Sequence, residues 1–189
     1  MSNSLDSYID LRLMPNATFA MNELLSVVFL KLHLRLVSLK CTSIGLSFPE
    51  FRSNGLGSIM RLHGSKDDLD SLMQSNWMNT ANDFVVVSEI LPVPPDCNYR
   101  IVRRVQPQGS FERHRRRSIK RHGQVASETL LQVQEHKRTR FEMPYIEVRS
   151  LSNNNVFRFF VSHGELFAAP QMGSFSSYGL SATATIPWF

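Results

Sequence analysis

Asn22-Glu-Leu-Leu-Ser-Val-Val-Phe-Leu-Lys-Leu-His-Leu-Arg-Leu-Val-Ser-Leu-Lys40 reads two ways. Its second half, Lys31-Leu-His-Leu-Arg-Leu36, alternates polar and apolar as a half-buried strand does. Over the whole length, Leu24, Leu25, Val28, Phe29, Leu32 and Leu36 recur at helical spacing. Apolar character runs on for more than about ten residues without a turn signal, which favours a helix. Strands are expected on either side of it. Residues 8–13 alternate and end at Pro15, and 43–48 end at Pro49. The Ser53-Asn-Gly-Leu-Gly57 cluster is a loop, and 59–63 a further strand. Ser65, followed by Asp67 and Asp68 and then Leu69, Leu72, Met73 and Trp77, opens a second helix. Residues 84–88 form the next strand. The order strand, helix, strand, strand, helix, strand predicts an α+β fold whose first 92 residues are ferredoxin-like (βαββαβ).

Leu91-Pro-Val-Pro-Pro-Asp-Cys-Asn98 is a proline-rich linker, so a smaller α+β domain is expected over 99–189. It opens with an extended basic strand over 99–106. Ser110-Phe-Glu-Arg-His-Arg-Arg-Arg-Ser-Ile-Lys-Arg-His-Gly123 has the marks of a helix over 111–122. Ser110 is a suitable N-cap and Gly123 a suitable C′ residue, with Glu112 in the first turn and Lys120, Arg121 and His122 in the last. A second helix is expected over 127–139. A hairpin of strands over 145–149 and 156–161 follows, and then a tail over 173–189 rich in Gly, Ser and aromatics.

The chain of 189 residues is 42% hydrophobic and 20% charged, a globular composition. Its formal charge of +5 is unevenly spread. Residues 100–140 hold 12 of the 21 Lys and Arg and 3 of the 16 Asp and Glu, which gives +9 there and 9 − 13 = −4 elsewhere. Basicity this concentrated marks a patch that attracts phosphate, with an acidic protein partner as the alternative. Cys41 and Cys97 make neither a disulfide framework nor a zinc spacing, and fit a reduced, cytoplasmic protein. Residues 24–39 are too short and too interrupted to span a membrane. No phosphate-binding glycine loop, Cys-x-x-Cys pair or His-Glu-x-x-His helix is present. The acidic residues do not cluster as in a two-metal nuclease. If the chain cuts nucleic acid, cleavage without metal is expected, which is feasible for RNA because the substrate brings a nucleophile in its 2′-hydroxyl. The protein then has to supply a base and hold the ribose. Of six histidines, His33 stands out as a titratable group on an apolar helix, although a lone histidine there is more often a packed one. His114 and His122 sit in the basic run. Tyr178 lies in Ser174-Phe-Ser-Ser-Tyr-Gly-Leu-Ser181, where packing beside a turn is the plainer reading.

In order and spacing along nearly the whole chain, these segments are similar to one family. They are Lys31-Leu-His33, Ile44-Gly-Leu-Ser-Phe-Pro49, Arg104-Val-Gln106, 112–122, Val148-Arg-Ser150, Phe157-Arg-Phe159, His163-Gly164, Tyr178-Gly-Leu-Ser181 and Pro187-Trp-Phe189. The chain resembles the CRISPR-associated endoribonuclease of type I-F (Ypest-subtype) systems, the Csy family, which processes precursor CRISPR RNA. The resemblance implies a metal-independent enzyme without cofactor. It would cut at the 3′ foot of the repeat hairpin by 2′-hydroxyl attack and leave a 5′-hydroxyl and a 2′,3′-cyclic phosphate. It would stay on the mature guide RNA and join other CRISPR-associated subunits in a surveillance complex. The alternative is a non-catalytic hairpin-binding subunit of that complex. His33 falls at the family's general base, Ser150 at the serine that holds the ribose, and Tyr178 at the tyrosine that orients the histidine. Phe157 matches an aromatic that stacks on the closing base pair. Arg104 and Gln106 match residues that read bases at the foot of the stem. The helix corresponds to an arginine-rich helix that enters the major groove, with Arg115, Arg116, Arg117 and Arg121 on matching arginines and His122 on a helix-end histidine. Lys120 stands where an arginine is familiar, so a fork-like contact becomes a point charge. Arg113, Arg117 and Lys120/Arg121 share one helical face.

Overall fold

The computed structural model describes residues 4–53, 55–106, 143–149 and 154–189. The helices expected over 111–122 and 127–139, and with them Arg113, Arg115, Arg116, Arg117, Lys120, Arg121 and His122, lie outside the described residues, as does Ser150.

The fold is α+β, with two antiparallel sheets among the described residues. In chain order the first half runs β1 (Ser7–Leu13), α1 (Met21–Leu39), β2 (Gly45–Ser47), β3 (Ile59–Gly64), α2 (Lys66–Met73), a 3-10 helix (Asn79–Phe84), β4 (Val85–Val87) and β5 (Leu91–Pro92). The second half supplies β6 (Asn98–Val105), β7 (Tyr145–Arg149), β8 (Val156–Phe167) and β9 (Ile186–Trp188). The first sheet is ordered β2-β3-β1-β4, with β5 also paired to β1; the second is ordered β7-β8-β6-β9.

Helical spacing decides α1 over the strand alternative. Leu24, Leu25, Val28, Phe29, Leu32 and Leu36 are buried, while Leu34, which the alternating pattern would have buried, is 44% exposed. Fully burying a residue such as Phe29 or Leu32 is worth about 1.5–3 kcal/mol, so this stripe outweighs the local β preference of the second half. Glu23 accepts a hydrogen bond from the Ala20 N–H at 2.9 Å, and Lys40 closes the helix in the left-handed region at φ 50°. Ser65 caps α2 as expected, accepting from the Asp68 N–H at 3.2 Å. That helix ends at Met73, before Trp77. Arg35 of α1 reaches its C-terminal carbonyls, 2.8 Å from Ser71 O and 3.3 Å from Leu72 O. A cation from another element thus meets the negative end of the dipole.

The two halves share one core. Val102, Ile146, Val148, Phe159, Val161, Phe175, Leu180, Ala184 and Ile186 are buried in one cluster with the residues of α1, β1 and β3. Arg61 grips Asp10 across β1 and β3 with both ends of its fork, at 2.7 and 2.9 Å. The same guanidinium lies against the rings of Tyr8 and Phe189, 4.6 and 4.3 Å from their centroids, and the two rings meet edge to face at 4.9 Å, which ties the last residues to the first sheet.

Candidate active site

His33 follows Phe29 by one turn of α1, so the two rings share a face. Phe29 is fully buried and His33 half-buried. The Tyr178 ring lies flat across this pair. It stacks on His33 with centroids 3.9 Å apart and planes 6° apart, and on Phe29 at 5.5 Å and 17°. The turn that carries Tyr178 also fixes the imidazole from its edge, with His33 Nδ1 2.9 Å from the carbonyl oxygen of Ser177. A carbonyl only accepts, so Nδ1 carries the proton and Nε2 of the neutral ring holds the free lone pair. The stack prevents the ring from tilting and the hydrogen bond prevents it from flipping. Together they leave one nitrogen able to take a proton.

The turn depends on Gly179. Its φ is +71°, and a Cβ there would sit 2.8 Å from Leu46 Cβ and 3.2 Å from Leu46 N. The close approach lets Gly179 O accept from the Leu46 N–H at 2.7 Å, which docks the turn on β2. Gly179→Ala should therefore destabilise the chain by about 1–2 kcal/mol for the left-handed backbone alone. Because the Ser177 carbonyl and Tyr178 move with the turn, a reaction that uses this imidazole as a base should also slow by about 10²-fold, the usual cost of misplacing a reacting group by an ångström. A thermal melt and a turnover rate read at a temperature where the variant is folded check both.

Arg104 and Phe157 approach the same place from the second sheet. The Arg104 guanidinium lies 4.6 Å from the centroid of Phe159 and 5.9 Å from that of Phe157. The Phe159 ring in turn lies 4.8 Å from Tyr178 and 5.0 Å from Phe29. Gln106 is exposed just past the end of β6. Ser150 follows Arg149, the last residue of β7, and is outside the described residues. Of the residues singled out in the sequence, the structure stacks Tyr178 on His33 and places Arg104 beside Phe157, the two pairs meeting only through Phe159. Sequence reasoning missed the Ser177 carbonyl and the buried rings of Phe29 and Phe159. Only Phe29 had a signal, its position one helical turn before His33.

The other described histidines are differently placed. His63 is fully buried with Nε2 2.8 Å from Ser47 Oγ, and burial, then the Arg61 charge, pushes its pKa down to about 3. His163 stacks on Phe51 at 3.8 Å, and burial, then the Arg100 charge, pushes it down to about 3 as well. Both stay neutral at ordinary pH and have packing roles. Among the described residues no three His, Cys, Asp or Glu side chains gather so as to hold a metal ion, and no helix is long and apolar enough to cross a membrane.

Residues 8–189 match the family model described as CRISPR-associated protein (Cas_Csy4). The chain is 37% identical over 185 residues to the CRISPR-associated endonuclease Cas6/Csy4 of Escherichia coli (strain UTI89 / UPEC), an alignment covering 98% of this chain and 100% of the relative. It is 38% identical over 188 residues to the CRISPR-associated endonuclease Cas6/Csy4 of Pseudomonas aeruginosa (strain UCBPP-PA14), again covering 98% and 100%.

Proposed function

The chain belongs to the Csy4 family of CRISPR-associated proteins, and from that membership we propose that it is an endoribonuclease that processes precursor CRISPR RNA. The observation that carries the mechanism is the clamped imidazole of His33, with Nδ1 committed to Ser177 O and the ring held against Tyr178. Nε2 takes the proton of the ribose 2′-hydroxyl at the cut site. The O2′–P bond forms, the P–O5′ bond breaks, and the 5′-oxygen leaves with the bonding pair and takes a proton from solvent. The products are a 2′,3′-cyclic phosphate and a 5′-hydroxyl. The base comes from the protein and the nucleophile from the RNA, so the step needs no metal. Ser150 holds the ribose in the pucker that aligns its 2′-oxygen with the phosphorus.

The repeat hairpin is held by the helix over 111–122, through Arg113, Arg115, Arg116, Arg117, Lys120, Arg121 and His122. The +9 charge of residues 100–140 supports this placement. Arg104 and Gln106 read bases at the foot of the stem, where an arginine fork suits guanine O6 and N7 and a carboxamide suits adenine N6 and N7. Phe157 stacks on the closing base pair. The order β2-β3-β1-β4, with α1 and α2 as crossovers, supports the ferredoxin-like reading of residues 1–92, and the hairpin-recognition domain is assigned to 99–189, the stretch that holds the second sheet. The enzyme acts in the cytoplasm, stays on the mature guide RNA and carries it into a surveillance complex with other CRISPR-associated subunits.

The test is cleavage of a repeat hairpin in EDTA with the product ends mapped. One cut at the 3′ foot, leaving a 5′-hydroxyl and a cyclic phosphate, is expected. A requirement for divalent metal, or a 5′-phosphate product, contradicts the mechanism.

A further inference from the structure

Helix α1, strands β6 and β7 and the turn of Tyr178 converge on one buried ring of β8. Phe159 is fully buried. The Arg104 guanidinium of β6 covers one side of it, with the Tyr178 ring 4.8 Å away and tilted by 48°. Phe29, one turn before His33 on α1, meets it edge to face at 5.0 Å and 64°. Ile146 of β7, the strand that leads to Ser150, stands opposite it in register. Arg104 pairs with Val161, so Phe159 is its diagonal neighbour on the same sheet face, within reach of a long side chain. The Arg104 guanidinium and the Tyr178 ring, which itself stacks on the His33 imidazole, thus both rest against Phe159.

From this packing we infer that Phe159 is a positioning residue, one that sets the separation between the Arg104 guanidinium and the His33 imidazole and so fixes which phosphate is cut. This rests on the proposed function. Arg104 anchors the foot of the stem by its bases, and His33 serves whichever 2′-hydroxyl lies at the matching distance along the strand. A flat, rigid ring holds that distance closely. An aliphatic side chain of similar size fills the space but offers no flat face to the guanidinium and no edge to the neighbouring rings. Close-packed interiors transmit such a change to their neighbours.

The test compares Phe159→Leu with the wild-type chain on a repeat hairpin, reading the single-turnover rate at saturating enzyme, the affinity and the positions of the cuts. The expected result is a rate lower by about 10²-fold with affinity unchanged, and cuts spreading to adjacent phosphates. Leu69→Ala, which empties a buried site under α2, controls for stability and should keep the rate and the single cut. Phe159→Met, which drops the flat face and whose flexible side chain adapts to the space, gives the same readout where the leucine variant is too unstable to assay. Wild-type rate and a single cut in the Phe159 variants overturn the inference, as does a loss no greater than that of Leu69→Ala at matched stability. His33→Ala separates this failure from that of the underlying reading. If His33→Ala is inactive and the Phe159 variants cut normally, only the positioning role falls. If His33→Ala cuts at the wild-type rate, the reading falls and the inference with it.

Discussion

His33→Ala should cut the repeat hairpin about 10²–10⁴-fold more slowly than the wild-type chain and bind it equally well. On the proposed mechanism the rate falls because the 2′-hydroxyl loses its proton acceptor, and neither of the other described histidines takes its place. His63 and His163 are held neutral by burial, with pKa values pushed down to about 3, and they pack in other parts of the core. On the proposed function binding persists, because the affinity is assigned to cations on phosphate, and 12 of the 21 Lys and Arg lie in residues 100–140. Single-turnover cleavage and an equilibrium binding isotherm on the same RNA separate the two effects. Equal losses in both would place His33 in the binding surface and not in the chemistry. Stability should change little, since the imidazole is half-buried and Leu32 and Leu36 keep α1 anchored.

How much of this was legible beforehand differs by element, for physical reasons. Helix α1 could be read because its buried stripe is long enough to override the alternation of Lys31–Leu36. The strand β8 was expected to stop at Val161 but runs to Phe167. Its continuation through Ser162, His163, Gly164 and Glu165 has no strand-like pattern of its own and is held by pairing with β6, Val102 to His163 and Tyr99 to Phe167. The short β5 and β9 both contain proline, a residue that argues against a central strand. Pro187 is accepted because β9 lies at the end of its sheet, where a missing N–H costs no ladder bond. Trp77 fits the helical period of α2 but lies beyond its end at Met73, so a matching period overran a helix of 8 residues, little more than two turns.

The site divides in the same way. His33 was legible as a titratable side chain out of place on an apolar helix, and the resemblance added Tyr178. The atom that orients the imidazole was not legible, because it is a backbone carbonyl 144 residues away, and a carbonyl belongs to every residue type. Gly179 sits next to Tyr178 in the sequence, but its need for a positive φ shows only once Leu46 is seen against it. Phe159 is one of 13 phenylalanines, and nothing local marks it as the ring on which Arg104, Tyr178 and Phe29 meet.

The largest effect should come from the RNA and not from the protein. A hairpin with a single 2′-deoxy nucleotide on the 5′ side of the cut phosphate lacks the attacking oxygen altogether. Removing the base still leaves a nucleophile held in line, and holding reactants in line can itself be worth about 7–11 kcal/mol. Removing the nucleophile leaves no reaction to position. Contacts to bases and phosphates are untouched, so the deoxy hairpin should occupy the protein as fully as the all-ribose one. The decisive measurement is therefore cleavage and binding of these two hairpins side by side by the wild-type chain. The account predicts complete cleavage of the ribose substrate, none of the deoxy substrate, and equal affinity for both. Cleavage of the deoxy hairpin at the same phosphate would contradict it.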